Sequence, residues 1–320
     1  MPLIITESEV ASLLTMRDCI DALESAFKRQ SEGMVENHPR RRLHPPDGLL
    51  HCMEACDLGL GRMGLKVYTS FRPKARFLVL LYDVANGDLL AIIEADKLGQ
   101  MRTGAATGVA AKYSARTNAK VLGLFGAGWQ AETQALAIAE VRKLDRILVY
   151  SRTPEKREEF ANKLRGQVSA TVEPVHSSDL VLAAADIIVT ATTSKSPAFD
   201  GALLRPGTQI NAVGSNSLAK AEIDVTTVAR ADRVIVDSIE QSKVESGDLV
   251  APIELRKIRW EQIRELHEVV SGKVPGREFD EEITLFKSNG LAMEDVAAAS
   301  LVYDRARERG IGQEIAMWNG

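Results

Sequence analysis

Cysteine is scarce. Cys19, Cys52 and Cys56 are the only three in 320 residues, too few for a disulfide framework. Cys52 and Cys56 have no second Cys or His pair at zinc spacing. They read as packing residues in a reducing, cytoplasmic compartment. No apolar run reaches the roughly 18 residues that a membrane span needs, and the opening MPLIITESEVASLL lacks the basic segment and long apolar stretch of a secretory signal. A strong charge of one sign is missing as well. The net charge of −4 gives no reason to expect nucleic acid or an acidic membrane as partner. The five histidines form no spaced cluster, so neither a metal site nor a Ser–His pair is expected, and they read as structural or surface residues. Repeats and low-complexity segments are absent.

What is there is ordinary for a soluble globular protein. Hydrophobic residues make up 45% and charged residues 26%, enough for a normal core, and the length allows one large or two ordinary domains. Residues 6 to 31 read as one helix, capped by Thr6 or Ser8, with Val10, Leu13, Leu14, Ile20, Leu23 and Phe27 at helical spacing. HPRRRLHPPDGLLHCMEA reads as two strands around a turn at Pro46-Asp47-Gly48. MGLKVYTS and RFLVLLYD read as strands, the latter joined to DLLAIIEA through Asn86-Gly87, a type I′ hairpin signal. A helix follows from about Asp96 to Tyr113. From about Asn118 strands and helices alternate: KVLGLF, a helix from Gln130, RILVYS, a helix over 154–165, DIIVTAT, TQINAVG and RVIVDS. That alternation predicts a parallel, doubly wound sheet with both faces covered. From about Glu281 to Arg309 the chain reads as helical, and this last helix is expected to return to the first domain. The expected domains are 1–116 plus 291–320, and 117–290.

The turn after KVLGLF reads Gly126-Ala127-Gly128-Trp129-Gln130-Ala131, a GxGxxA. The first glycine permits a tight turn, the second lets a pyrophosphate approach the backbone, and the small Ala131 lets helix and strand pack closely. The helix N-terminus then offers free N–H groups to phosphate. The flanking strand and helix supply the context that the motif needs. NAD-binding proteins commonly end the next strand in a carboxylate that takes the ribose 2′-hydroxyl. Here it ends Tyr150-Ser151-Arg152-Thr153. A guanidinium and two hydroxyls suit a 2′-phosphate, so NADP(H) is favoured, with NAD(H) possible. The bland alternative makes Arg152 a solvated helix-start residue.

GLKVYTS, IEADKLGQMRTGAATGVAAKY, GAGWQAETQ, ADIIVTATTS, PGTQINAVGSN, VIVDS and SNGLAMEDVAAA together, in this order, resemble the ornithine cyclodeaminase/mu-crystallin family along nearly the whole chain. The resemblance implies an α/β fold: a Rossmann doubly wound domain inserted after an α+β substrate-binding and dimerisation domain, in a homodimer built through that first domain. The family includes ornithine and lysine cyclodeaminases, alanine dehydrogenases, ketimine and cyclic-imine reductases, and mu-crystallin, which binds NADPH and thyroid hormone. By the same resemblance Lys66 matches the active-site lysine, Arg102 the arginine that binds the substrate carboxylate, and Arg40 a second substrate arginine, with Arg42 on its face of a strand. Asn216 falls where the ornithine cyclodeaminase has a catalytic aspartate. Asp237 ends a later Rossmann strand, and Asp295 lies in the family's C-terminal ED motif with no assigned role. Cofactor contacts are expected at Gly126, Gly128, Gln130, Ala131, Ser151, Arg152, Thr153, Thr103, Thr190, Val213 and Asp237.

The residues themselves point the same way. Arg102 stands in an otherwise small and apolar segment, Thr103 to Ala111, so it must meet a partner: a bidentate substrate carboxylate or a structural Asp or Glu. Lys66 lies between Leu65 and Val67. It is either a partly buried amine with a lowered pKa, usable as a proton donor, or an edge-strand lysine in water. Arg41 reads as a solvated strand charge. An asparagine amide cannot serve as a general base, so Asn216 removes the ring-closing half of cyclodeamination and leaves hydride transfer. The expected activity is NADP(H)-dependent oxidoreduction at the C=N or CH–NH of a small 2-imino or 2-amino acid, as in a ketimine reductase or an alanine dehydrogenase. The alternatives are a cyclodeaminase that releases ammonia, and a mu-crystallin-like NADPH-dependent ligand binder.

Overall fold

The structure is a computed structural model and describes residues 1–71 and 74–318. Two compact units make up the chain, Met1–Thr103 with Leu291–Gly320, and Gly104–Gly290. The first unit opens with β1 (Leu3–Ile5), α1 (Glu7–Leu13) and α2 (Met16–Ser31). The single helix expected over 6–31 is therefore two. Leu14 is extended at φ −117°, and the Thr15 hydroxyl accepts the Asp18 N–H at 3.3 Å to start α2, an N-cap. The apolar spacing runs through the break because both helices face one core, in which Val10, Leu13, Leu14, Ile20, Leu23 and Phe27 are all buried.

Then come β2 (Val35–Asn37), β3 (Arg41–Leu43), β4 (Gly48–Asp57), β5 (Arg62–Phe71), β6 (Lys74–Asp83), β7 (Leu89–Glu94) and α3 (Asp96–Ser114), within which the division between the units falls. The β6–β7 turn is not type I′. That turn needs positive φ at both central residues, and here Gly87 has φ +77° while Asn86 is not in that region. A four-residue connection is closed instead by the Asp83 N–H to Asp88 O at 2.9 Å, and the Asn86 side chain accepts the Asp88 N–H at 2.9 Å.

The second unit runs β8 (Val121–Phe125), α4 (Trp129–Val141), β9 (Arg146–Tyr150), α5 (Pro154–Arg165), β10 (Thr171–Val175), α6 (Ser178–Ala184), β11 (Ile187–Thr190), β12 (Gln209–Ala212), α7 (Val225–Arg230), β13 (Arg233–Val236), α8 (Ile239–Glu245), α9 (Gly247–Glu254), β14 (Arg264–Glu265), α10 (Leu266–Val270) and β15 (Thr284–Lys287). Its sheet has the order β10-β9-β8-β11-β12-β15-β13-β14, and every pairing is parallel. Two apolar clusters fill it, one around Ile210, Val234 and Leu285 and the other around Leu122, Ala131 and Ile147. β15 corrects the expectation of helix from Glu281: Thr284–Lys287 is a strand threaded between β12 and β13.

The chain then re-enters the first unit with α11 (Ala292–Arg309) and β16 (Gln313–Glu314). The first sheet has the order β16-β1-β7-β6-β5-β4-β2, with β3 also on β4. α11 packs on α2 and lies against β4, β5 and β6. No helix among the described residues is long and apolar enough to cross a membrane.

Candidate active site

Lys66 is not an edge-strand lysine. β5 lies between β4 and β6, and Lys66 sits in the cross-strand row Met53–Lys66–Val79–Ile93. It is 3% exposed. Its Nζ donates to Asp295 Oδ1 at 2.7 Å and lies 5.9 and 5.5 Å from the ring centroids of Tyr68 and Phe77. Burial pushes the amine down to about 8; the Asp295 carboxylate opposes that shift, while Arg102 and Arg40 add to it. Gly99 makes room for this ammonium, since a Cβ there would stand 2.9 Å from Nζ.

Arg102, on α3, donates through Nε to Asp295 Oδ1 at 3.1 Å and through Nη1 to Glu294 Oε2 at 2.7 Å. The structural-carboxylate alternative thus describes two of its donor groups. Nη2 meets no acceptor among the described residues, and the buried Asp295 Oδ2 has no hydrogen-bond partner. Arg40, just before β3, is buried at 6% exposure and close enough to act on Lys66. Arg41 points away, its side chain 71% exposed and paired with Glu54 at 2.5 Å, and Arg42 is half-buried. Lys66 and Arg102 thus share the carboxylates Glu294 and Asp295, with Arg40 close to Lys66.

His51 carries no role in the sequence reading, yet it borders this cluster. It is buried and stacked on Tyr68 at a centroid distance of 4.0 Å, and Tyr68 stacks on Phe77 at 4.8 Å. These three form the cross-strand row two residues along from Met53–Lys66–Val79, hence on the same face. Burial, with Arg42 and Arg40 nearby, pushes the His51 imidazole down to about 4, so it is neutral near pH 7. Nε2 lies 2.9 Å from Ser70 Oγ, while Nδ1 is buried without a partner.

The glycine turn of the second unit fits a pyrophosphate. Gly126 has φ +116°, and a Cβ there would meet Ala191 O at 2.4 Å. At Gly128 the space where a Cβ would stand is open, with nothing within 4 Å, and no side chain caps the α4 N-terminus behind it, so that end offers backbone donors to an anion. Ala131 is fully buried against the sheet. Gln130 is half-buried, its Oε1 without a hydrogen-bond partner. After β9, Ser151 is half-buried, while Arg152 and Thr153 are exposed, with Thr153 at the start of α5.

Other expected cofactor contacts serve the protein itself. Thr190 is buried, with its hydroxyl on Glu222 at 3.1 Å. The Val213 N–H donates to Thr190 O at 3.0 Å. Thr103 donates its hydroxyl to Gly99 O at 2.7 Å. Asp237 is fully buried and accepts the N–H groups of Ser238, Asn289 and Gly290 at 2.9, 2.5 and 2.6 Å. Its oxygens hold the 288–290 turn. Asn216 is exposed on the loop after β12. Among the described residues no group of three or more His, Cys, Asp or Glu could hold a metal ion.

A family model described as the ornithine cyclodeaminase/mu-crystallin family matches residues 1–310. The chain is 35% identical to a Δ1-pyrroline-2-carboxylate reductase of Bacillus cereus, over 98% of this chain and 99% of that one. It superposes with a TM-score of 0.94 on the Δ1-pyrroline-2-carboxylate reductase of Thermococcus litoralis in complex with NADH and L-proline, at 35% identity, covering 98% of this chain and 100% of that one. An archaeal alanine dehydrogenase dimer with bound NAD gives a TM-score of 0.93 at 32% identity, covering 99% of each chain.

Proposed function

Because this chain belongs to the ornithine cyclodeaminase/mu-crystallin family, we propose that it is an oxidoreductase that moves a hydride between NADP(H) and the C=N or CH–NH bond of a small 2-imino or 2-amino acid. The observation that carries this reading is Lys66: a fully enclosed amine near 8, bonded to Asp295 and flanked by Arg102 and Arg40. The relatives named above, two reductases of a cyclic imino acid and a dehydrogenase of an amino acid, support the same class of bond.

The nicotinamide, when bound, supplies or takes the hydride. Arg102, through Nη2, and Arg40 bind the substrate carboxylate, and this clamp turns reaction into an effectively unimolecular step. Lys66 holds the proton that the imine nitrogen needs on reduction and takes it back on oxidation. Asp295 orients the ammonium through Oδ1. Asn216 can hydrogen-bond but cannot titrate, so the reading favours hydride transfer without ring closure. For the cofactor, the glycine turn carries the pyrophosphate at Gly126 and Gly128, with Gln130 and Ala131 behind it. Ser151, Arg152 and Thr153 receive the 2′-phosphate, which is why NADP(H) is preferred over NAD(H). We propose a homodimer built on the first sheet: opposite the Lys66 face, the row Leu65–Leu80–Ile92 and the pair Met63–Tyr82 are only half-buried, and Met63, Leu65 and Tyr82 line, with Cys56, a groove of about 380 Å³.

The test is an absorbance assay with NADPH and NADH against cyclic imines, against 2-oxo acids with ammonia or methylamine, and against ornithine. Cofactor oxidation with an imine, without ammonia release from ornithine, is the expected result. Ammonia release from ornithine with catalytic cofactor would replace this reading by cyclodeamination. Tight ligand binding without turnover across the panel would replace it by a binding role.

A further inference from the structure

Beneath the loop that carries Asn216 lies a buried ionic network that the mechanism does not use. The Glu222 carboxylate accepts four hydrogen bonds. Oε1 takes the N–H and the hydroxyl of Thr192, both at 2.6 Å. Oε2 takes the Thr190 hydroxyl at 3.1 Å and the Gly214 N–H at 2.5 Å. The space at residue 214 is filled by this carboxylate, because a Cβ there would stand 2.5 Å from both oxygens. A second anchor sits behind the first. Asp248 Oδ1 accepts the N–H groups of Glu222 and Ile223 at 2.6 and 3.1 Å, and its Oδ2 lies 3.1 Å from Lys287 Nζ. Lys287 Nζ donates to the carbonyls of Ser215, Ser288 and Ala212 at 2.5, 3.1 and 3.4 Å.

All three charged residues are at most 1% exposed. Burying charge in this way is a poor route to stability, since apolar packing of the same volume serves as well or better. What the charge does supply is direction, as each donor is tied to one oxygen. The donors of Glu222 lie at the carboxyl ends of β11 and β12, the strands that follow β8 on the side away from β9 and β10. In a doubly wound sheet each half receives one mononucleotide, and the crevice opens where the order reverses. The glycine turn and the end of β9 serve the adenosine half, which leaves the ends of β11 and β12 to the other.

We infer that Glu222 is a positioning residue that fastens the loop leaving β11 to the loop leaving β12 and so fixes the ledge for the nicotinamide half of the dinucleotide. The inference rests on the dinucleotide reading proposed above. It predicts a selective loss. In Glu222→Gln the shape stays, but an amide NH₂ is set against either the Thr192 or the Gly214 N–H. Affinity for NADPH, followed by fluorescence or calorimetry, should fall about tenfold or more, the usual scale for a charge-assisted bond replaced by a donor clash. Affinity for 2′-phospho-ADP-ribose, which lacks the nicotinamide, should stay within about twofold, because surface remote from a change is little affected. In the ligand-free protein, amide exchange at Thr192 and Gly214 should quicken. Thr192→Val removes one donor without inserting another and should give a smaller loss in the same direction; it decides the matter if Glu222→Gln does not fold. Equal losses for both ligands, or no loss for NADPH, overturn the inference. If the parent chain binds neither NADPH nor NADH, the dinucleotide reading itself falls and takes this inference with it.

Discussion

Raising the pH from 7 to 9 should switch off imine reduction through one amine. Lys66 is held down to about 8, chiefly by burial, against the pull of Asp295. Reduction needs the protonated form. With a midpoint near 8, roughly ten in eleven molecules carry the proton at pH 7 and roughly one in eleven at pH 9, since each unit is a factor of ten. The profile of kcat/KM reports the free enzyme, so it should drop about tenfold over that interval, and by a further factor of about ten for each unit beyond. Oxidation of the amino acid should show the opposite limb and rise through the same midpoint. The assay is the initial rate of NADPH consumption with a cyclic imine, because added ammonia would bring its own ionisation into the same range. Lys66→Arg is the control. A guanidinium stays charged throughout, so whatever activity this variant keeps should be flat through pH 8. A flat profile in the parent enzyme, or the same limb in Lys66→Arg, would refute the assignment and place the titration on the substrate or on another group.

Gly99→Ala puts a methyl 2.9 Å from Lys66 Nζ; because a flexible side-chain end can shift, we expect kcat to fall about tenfold or more from the misplaced donor, with a melting temperature within a few degrees of the parent by calorimetry. Asp295→Asn removes the carboxylate that raises the Lys66 amine, so the limb should move to lower pH, and calorimetry should show a lower melting temperature, corresponding to a stability loss of about 3–5 kcal/mol if Arg102 and Lys66 lose their shared counter-ion fully; an unmoved limb would show that Asp295 does not govern Lys66. Arg152→Ala should weaken NADPH about tenfold while sparing NADH, a charge-assisted phosphate contact being of that size; equal loss for both, in fluorescence titration, would overturn the 2′-phosphate assignment.

Much of the architecture was legible because it is written in local periodicity. The alternation from Asn118 onward announced a parallel sheet, and the glycine turn fell where the strand-to-helix context demanded it. What escaped had weaker or misleading local signals. Thr284–Lys287 is four residues long, and a short apolar run next to a helix cannot be told from its first turn by periodicity; its place between β12 and β13 depends on contacts remote in sequence. The break at Leu14–Thr15 carries no Gly or Pro, so the apolar rhythm concealed it. At the site, the family resemblance singled out Lys66 and Arg102; each is also a cation in an apolar setting, which by itself left Lys66 open to an edge-strand reading. The same reasoning applied to Glu294 and Asp295 inside LAMEDVAAAS would have matched carboxylates to those cations. His51 and Glu222 had no such signal: a histidine in a strand and a glutamate in a polar loop look unremarkable until the fold encloses them.

The return of α11 to the first unit bears on the order in which the protein is made. Lys66 and Arg102 are translated early, yet the carboxylates they bond to, Glu294 and Asp295, emerge only after the whole of Gly104–Gly290. Until then the Lys66 face lacks both its counter-ions and the helix that covers it. The second unit contains its own parallel sheet and both its clusters, so it can mature on the ribosome while the first waits. A chain stopped at residue 290 should therefore keep a folded nucleotide unit beside an unsettled N-terminal one. Activity arises last, with the final helix.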